Sequence, residues 1–192
     1  MSDLYELQTE VEEWHFRGKE RNEVEGRIIP FGEPALVIEN GERFTEVFDP
    51  GSLTFMAQYV ARRGNGSFVH LNLDHDESLG GRIGHMRSLE QREDGGWALF
   101  KLYEQRPDLP LIREMLAESH AGLSVKFRDR VPPREENGTR HRVQVVVEHV
   151  AATPLPTYAG AQIVALRSPE EPGLFAGTPA LDEWTSWLAQ RD

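Results

Sequence analysis

Ser67-Phe68-Val69-His70-Leu71-Asn72-Leu73-Asp74-His75-Asp76-Glu77 is the stretch from which the rest of the chain is read. Its first seven residues alternate apolar and polar, the period-two pattern of a strand with one buried face. The run then breaks into acids around a single imidazole, so His75 is expected where a strand meets a loop. A histidine held at the end of a rigid strand is well placed to serve as a catalytic base.

Working outward, the same strand-and-turn grammar recurs. Gly26-Arg27-Ile28-Ile29-Pro30-Phe31, Ala35-Leu36-Val37-Ile38 and Phe44-Thr45-Glu46-Val47-Phe48 are short apolar runs separated by Gly-Glu-Pro and Glu-Asn-Gly, hence strands joined by tight turns. Residues 53–63 place Leu53, Met56, Ala57 and Val60 on one helical face, and Gly64-Asn65-Gly66 ends that helix. Beyond His75, residues 82–89 and 97–103 flank Glu93-Asp94-Gly95-Gly96 and predict a β-hairpin. A second helix is expected over 108–119, capped by Asp108 with Pro110 in its first turn, burying Leu111, Ile112, Met115 and Leu116.

Residues 121–128 form a strand with Leu123, Val125 and Phe127 on one side and Ser124, Lys126 and Arg128 on the other. The polar 131–139 segment reads as a mobile loop. Residues 142–150 read as one strand, with His149 sharing the parity of Val143, Val145 and Val147 while Glu148 faces the opposite way. A last strand is expected over 161–166. Three regions follow: an N-terminal arm (1–23), a β-rich domain (24–168), and a Pro/Gly-rich linker with a short helix around Leu181, Trp184, Trp187 and Leu188 (169–192). The fold class is mainly β, an α+β arrangement with flanking helices.

Composition narrows the function. The 192 residues, 39% of them apolar, have room for one sizeable core, and no window approaches the apolar run of a membrane span. A net charge of −11 without a long basic cluster argues against nucleic acid as a partner. No residue is cysteine, which removes thiol catalysis and thiolate metal sites. The first residues lack the basic start and apolar stretch of a secretion signal, so synthesis and residence in a cytoplasm are expected.

Five blocks, in order, resemble the tailed-bacteriophage prohead maturation proteases. They are Gly-Arg-Ile-Ile-Pro-Phe-Gly at 26–32, Glu-Val-Phe-Asp-Pro-Gly-Ser at 46–52, Leu-Asp-His-Asp at 73–76, Gly-Leu-Ser-Val-Lys-Phe at 122–127 and Pro-Thr-Tyr-Ala-Gly-Ala at 156–161. The resemblance spans roughly residues 24–168. It implies a serine endopeptidase that processes scaffold and major capsid protein, and itself, inside the assembling procapsid of a phage-infected host cell. It also implies an antiparallel β-barrel flanked by helices, similar to the herpesvirus assembly proteases, and a homo-oligomer, most simply a dimer. By carry-over His75 matches the family histidine and Ser124 the nucleophilic serine. Where many members carry Glu-Val-Ser-Leu-Val ahead of the proline block, this chain has His149-Val150-Ala151-Ala152-Thr153, which favours a Ser-His-His set.

The chemistry fits those residue types. A serine hydroxyl needs a neutral imidazole to take its proton, and that imidazole needs a partner that fixes its tautomer. His149 is the expected third member, with adjacent Glu148 as the alternative. His70 and His85 read as strand residues with a plain packing or surface role, and His15, His120 and His141 as surface residues. The protease reading needs no metal and no cofactor. Two other readings stay open: a metal-dependent hydrolase built on Asp74, His75, Asp76 and His85 or His149, and a non-catalytic capsid or scaffold component with the same barrel.

Overall fold

The computed structural model describes residues 22–39 and 41–167. In chain order its elements are β1 (Glu23–Pro30), β2 (Ala35–Glu39), β3 (Glu42–Phe48), α1 (Thr54–Arg63), β4 (Gly66–Leu73), β5 (Arg82–Arg92), β6 (Gly95–Leu102), α2 (Leu109–Glu118), β7 (Gly122–Val131), β8 (Arg134–Glu136), β9 (Thr139–Arg142), β10 (Gln144–Thr153) and β11 (Ile163–Arg167). The described residues are thus mainly β with two helices. The leading arm up to residue 21 and the C-terminal segment with its expected helix lie outside the described residues. Glu23, assigned above to the arm, opens β1 and pairs with Lys101 and Arg167.

Seven strands form one sheet in the order β11-β1-β6-β5-β4-β10-β7. Register slips in β1, β4, β5 and β10 curl it, because each extra residue bends its strand and increases the local twist. The curl brings the two ends together: Leu123 N–H donates to the Ala161 carbonyl (2.8 Å) and Ile163 N–H to that of Ala121 (2.7 Å). Gly26 sits at this closure, where a Cβ would come within 2.5 Å of the Gln162 carbonyl oxygen and of Leu123 Cδ1. Alternate residues of each strand fill the interior, among them Ile28, Leu71, Ile83, Phe100, Leu102 and Val150, all fully buried.

The sheet is not wholly antiparallel as expected: β10 runs parallel to β4, and β3 runs parallel to β9. Parallel neighbours need a long crossover. Here that crossover from β4 to β10 runs through β5, β6, α2 and β7, then through β8 and β9 in a second sheet of order β2-β3-β9-β8. The single strand expected over 142–150 is therefore two, with Val143 at the switch between sheets. The segment expected to be a mobile loop is the β8–β9 hairpin. Asn137 (φ 51°) and Gly138 (φ 77°) form its two-residue turn, which needs left-handed backbone at both positions.

Helix α1 packs Met56 and Val60 into the core and ends where Gly64 adopts φ 71°. Helix α2 buries Leu109, Ile112 and Leu116, whereas Leu111, expected inside, is 57% exposed and Met115 is only half-buried. Asp108 precedes α2 but its side chain does not cap it. Its carboxylate accepts instead from Arg106 Nε (2.8 Å) and Nη2 (2.6 Å), a bidentate, charge-assisted pair that engages both carboxylate oxygens.

Candidate active site

Strand β4 ends at Leu73, and the next two residues turn sharply, Asp74 at φ 46° and His75 at φ 61°. Consecutive left-handed residues other than glycine are costly, on the order of 1 kcal/mol each, and persist only where surrounding contacts hold them. Those contacts are visible. Asp74 N–H donates to the Ala152 carbonyl on β10 (3.1 Å), Leu73 N–H to Gly81 (2.9 Å) and Asp76 N–H to Leu73 (2.8 Å). The Asp76 carboxylate folds back to accept from Ser78 N–H (2.9 Å) and Ser78 Oγ (3.0 Å). Gly81 lies against this turn so closely that a Cβ would meet the Asp76 carbonyl oxygen at 2.3 Å and its Cβ at 2.4 Å.

The turn carries His75 over β10, where its Nδ1 is 2.9 Å from His149 Nε2. The rings are 5.2 Å apart, inclined at 59°. His149 is 5% exposed, yet it does not share the core face of Val145 and Val147 as its parity predicted. Across β7, Val147 pairs with Phe127 and His149 with Lys126, leaving Glu148 as an extra residue. This bulge reverses the alternation: Val150 and Ala152 resume the core face, while His149 and Ala151 face outward. Glu148 is exposed, with one carboxylate oxygen 3.7 Å from Arg128 Nε.

Cross-strand pairing aligns side chains on one face. One row reads Ser124, Ala151, Asn72; the next reads Lys126, His149, His70, His85, Lys101. Ser124 and His149 therefore share the outer face, one row apart on adjacent strands. Ser124 Oγ makes no hydrogen bond to His75 or to any other described residue. Ser124 lines a cavity of about 460 Å³ with Val37, Ile38, Phe127, Arg128 and Tyr158 among its walls. The structure thus joins His75 to His149 directly, and brings Ser124 to the same face without a bond.

Burial pushes both imidazoles below their ordinary pKa. For His75, desolvation is opposed by Asp74 and Glu77 and assisted by Lys126. For His149, desolvation is followed by the repulsion of His75, with Glu77 and Glu148 opposing. A base held neutral is what proton abstraction requires.

Two histidines read as surface residues are in fact engaged. His120 follows α2 and places Nε2 3.3 Å from Asp74 Oδ2, and His141 Nδ1 is 2.7 Å from Asp49 Oδ1. His120 thereby ties the segment before Ser124 to the turn before His75, a link that its charged neighbours gave no reason to expect. His70 Nδ1 is 3.1 Å from the Tyr103 hydroxyl, beside a cavity of about 590 Å³ lined by Leu79, Arg82 and Arg106. Among the described residues no three His, Asp or Glu side chains converge as metal ligands would, and Asp74 and Asp76 are turned to His120 and Ser78.

No protein-family model matches the chain, and no curated protein matches it. Among solved structures, it is similar to the bacteriophage T4 capsid assembly protease, gp21, with a TM-score of 0.33 and 11% identity, over 76% of this chain and 98% of that one. Likeness at that level says nothing of activity.

Proposed function

We propose that the chain is a serine endopeptidase of procapsid maturation, with Ser124 as nucleophile, His75 as general base and His149 as the residue that orients His75. The observation that carries this reading is the 2.9 Å contact between His75 Nδ1 and His149 Nε2. One of the two nitrogens must donate. With the proton on His75 Nδ1, its Nε2 is free to take the Ser124 proton as Oγ attacks the peptide carbonyl. The same nitrogen then returns that proton to the leaving amine, and water hydrolyses the acyl ester. The hydrogen bond from Ser124 to His75 forms as substrate enters, catalytic bonds of this kind being commonly long beforehand.

The choice of substrate, scaffold and major capsid protein, rests on the ordered motif resemblance along residues 26–161. Co-expression with a phage scaffold and major capsid protein tests the proposal by intact mass. Wild type is expected to shorten them and Ser124→Ala to leave them whole, while retaining its fold. Equal cleavage by Ser124→Ala contradicts the assignment.

A further inference from the structure

Glu77 closes the acidic run that contains His75 and has no part in the scheme above. Its Oε1 lies 3.8 Å from His149 Nδ1, on the far side of that ring from His75, and accepts a hydrogen bond from Lys126 Nζ. Lys126 is the cross-strand partner of His149, so the ammonium anchors the carboxylate beside the Nδ1 edge of the second imidazole.

The tautomers form a consistent chain. If His75 Nδ1–H donates to His149 Nε2, the proton of neutral His149 must sit on Nδ1. That nitrogen is the one that lies 3.8 Å from Glu77 Oε1, an ion-pair separation rather than a hydrogen bond. We propose that Glu77 is a positioning residue of the site, its carboxylate holding the His149 proton on Nδ1 so that Nε2 is presented as the acceptor for His75. This rests on the Ser124, His75 and His149 reading. The sequence of groups becomes serine, histidine, histidine, carboxylate, with the acid one residue further from the nucleophile than in a Ser-His-Asp triad.

Charge makes the role separable from simple fastening of the loop. The groups facing the two imidazoles are Asp74, Glu77, Lys126 and Glu148. Glu77 favours the charged form of both rings and Lys126 disfavours it. If Glu77 served only to pin residues 74–81 through Lys126, removing either partner would have the same effect. If it acts on His149, the two removals move the imidazole pKa in opposite directions. Glu77 is solvent-exposed, with 56% of its side chain accessible, so Glu77→Gln leaves the fold intact and solvent screens part of the effect.

The test uses the full chain and an alkyl fluorophosphonate, with the rate of Ser124 phosphonylation followed against pH for wild type, Glu77→Gln and Lys126→Gln. Glu77→Gln is expected to lower the plateau rate about 3- to 10-fold and to move the acid-limb midpoint down, and Lys126→Gln to move it up. In parallel, long-range proton–nitrogen spectra read the His149 tautomer without reference to chemistry. Wild type is expected to hold the proton on Nδ1 and Glu77→Gln to lose that preference. Retention of Nδ1–H in Glu77→Gln, or midpoints that shift in the same direction in both variants, overturns the proposal. Labelling that survives Ser124→Ala overturns the protease reading instead, and leaves the tautomer measurement to decide the role of Glu77.

Discussion

At the scale of single residues, the imidazoles carry a pH signature whose sign is fixed by burial. Desolvation is the largest influence on His70, His75, His85 and His149, and lowers each below its ordinary value of 6.5. The unfolded chain takes up these protons near pH 6.5, whereas the folded chain resists them until lower pH. Their contribution to stability is therefore complete above that value and is lost as pH falls through the folded values. Urea unfolding midpoints are expected to drop between about pH 7 and pH 5, above the range where carboxylates titrate; a flat or rising midpoint contradicts it. On activity, His149→Ala is expected to slow cleavage about 10- to 100-fold and His75→Ala to abolish it, with Glu148→Gln nearly silent, as steady-state rates on a scaffold substrate will show. The position of His149 was legible in the chain but its surroundings were not. Strict alternation put it with Val145 and Val147 in the core, and the bulge at Glu148 sends it to the opposite face. A bulge of this kind leaves no mark in the hydrophobic pattern.

At the scale of elements, the decisive unit is the turn from Leu73 to Gly81, which carries His75 over β10. Gly81→Ala introduces a methyl where Asp76 leaves no room, the nearest contact being backbone, so the turn itself must shift. Labelling of Ser124 is expected to fall at least about 10-fold while the far-ultraviolet dichroism stays that of wild type, since a displacement of about 1 Å is enough to cost a factor of this order. Unchanged labelling would show that the turn does not set the position of His75. Strands and both helices were readable from period and turn residues, with boundaries a few residues off. The β8–β9 hairpin was missed although Asn137-Gly138 is a strong two-residue turn signal. Its flanks, Arg134-Glu135-Glu136 and Thr139-Arg140-His141, offer no apolar alternation to announce strands.

At the scale of the whole molecule, a buried polar cluster joins the small sheet to the large one behind the Ser124 cavity. Glu46 on β3 accepts from Arg142 Nε (2.9 Å) and from the Tyr158 hydroxyl (2.8 Å), and Arg142 Nη1 donates to Asp129 on β7 (2.7 Å). Burial and the neighbouring Glu46 carboxylate push the Tyr158 hydroxyl far above its ordinary pKa. Glu46→Ala removes one side of a pair with almost no solvent access and is expected to cost about 3–5 kcal/mol in denaturant unfolding. A cost under about 1 kcal/mol would mean that the cluster does not hold the sheets together. The pairings of Glu46, like the parallel run of β4 beside β10, join residues some 80 to 110 positions apart, and local pattern is silent about them. The central claim, that Ser124 is a nucleophile activated by His75, is tested most directly by peptide mapping of the protein after exposure to an alkyl fluorophosphonate. The expected result is a single adduct on Ser124, present in wild type and absent in His75→Ala. An unlabelled wild type, or an adduct on Ser124 that forms equally well without His75, would contradict it.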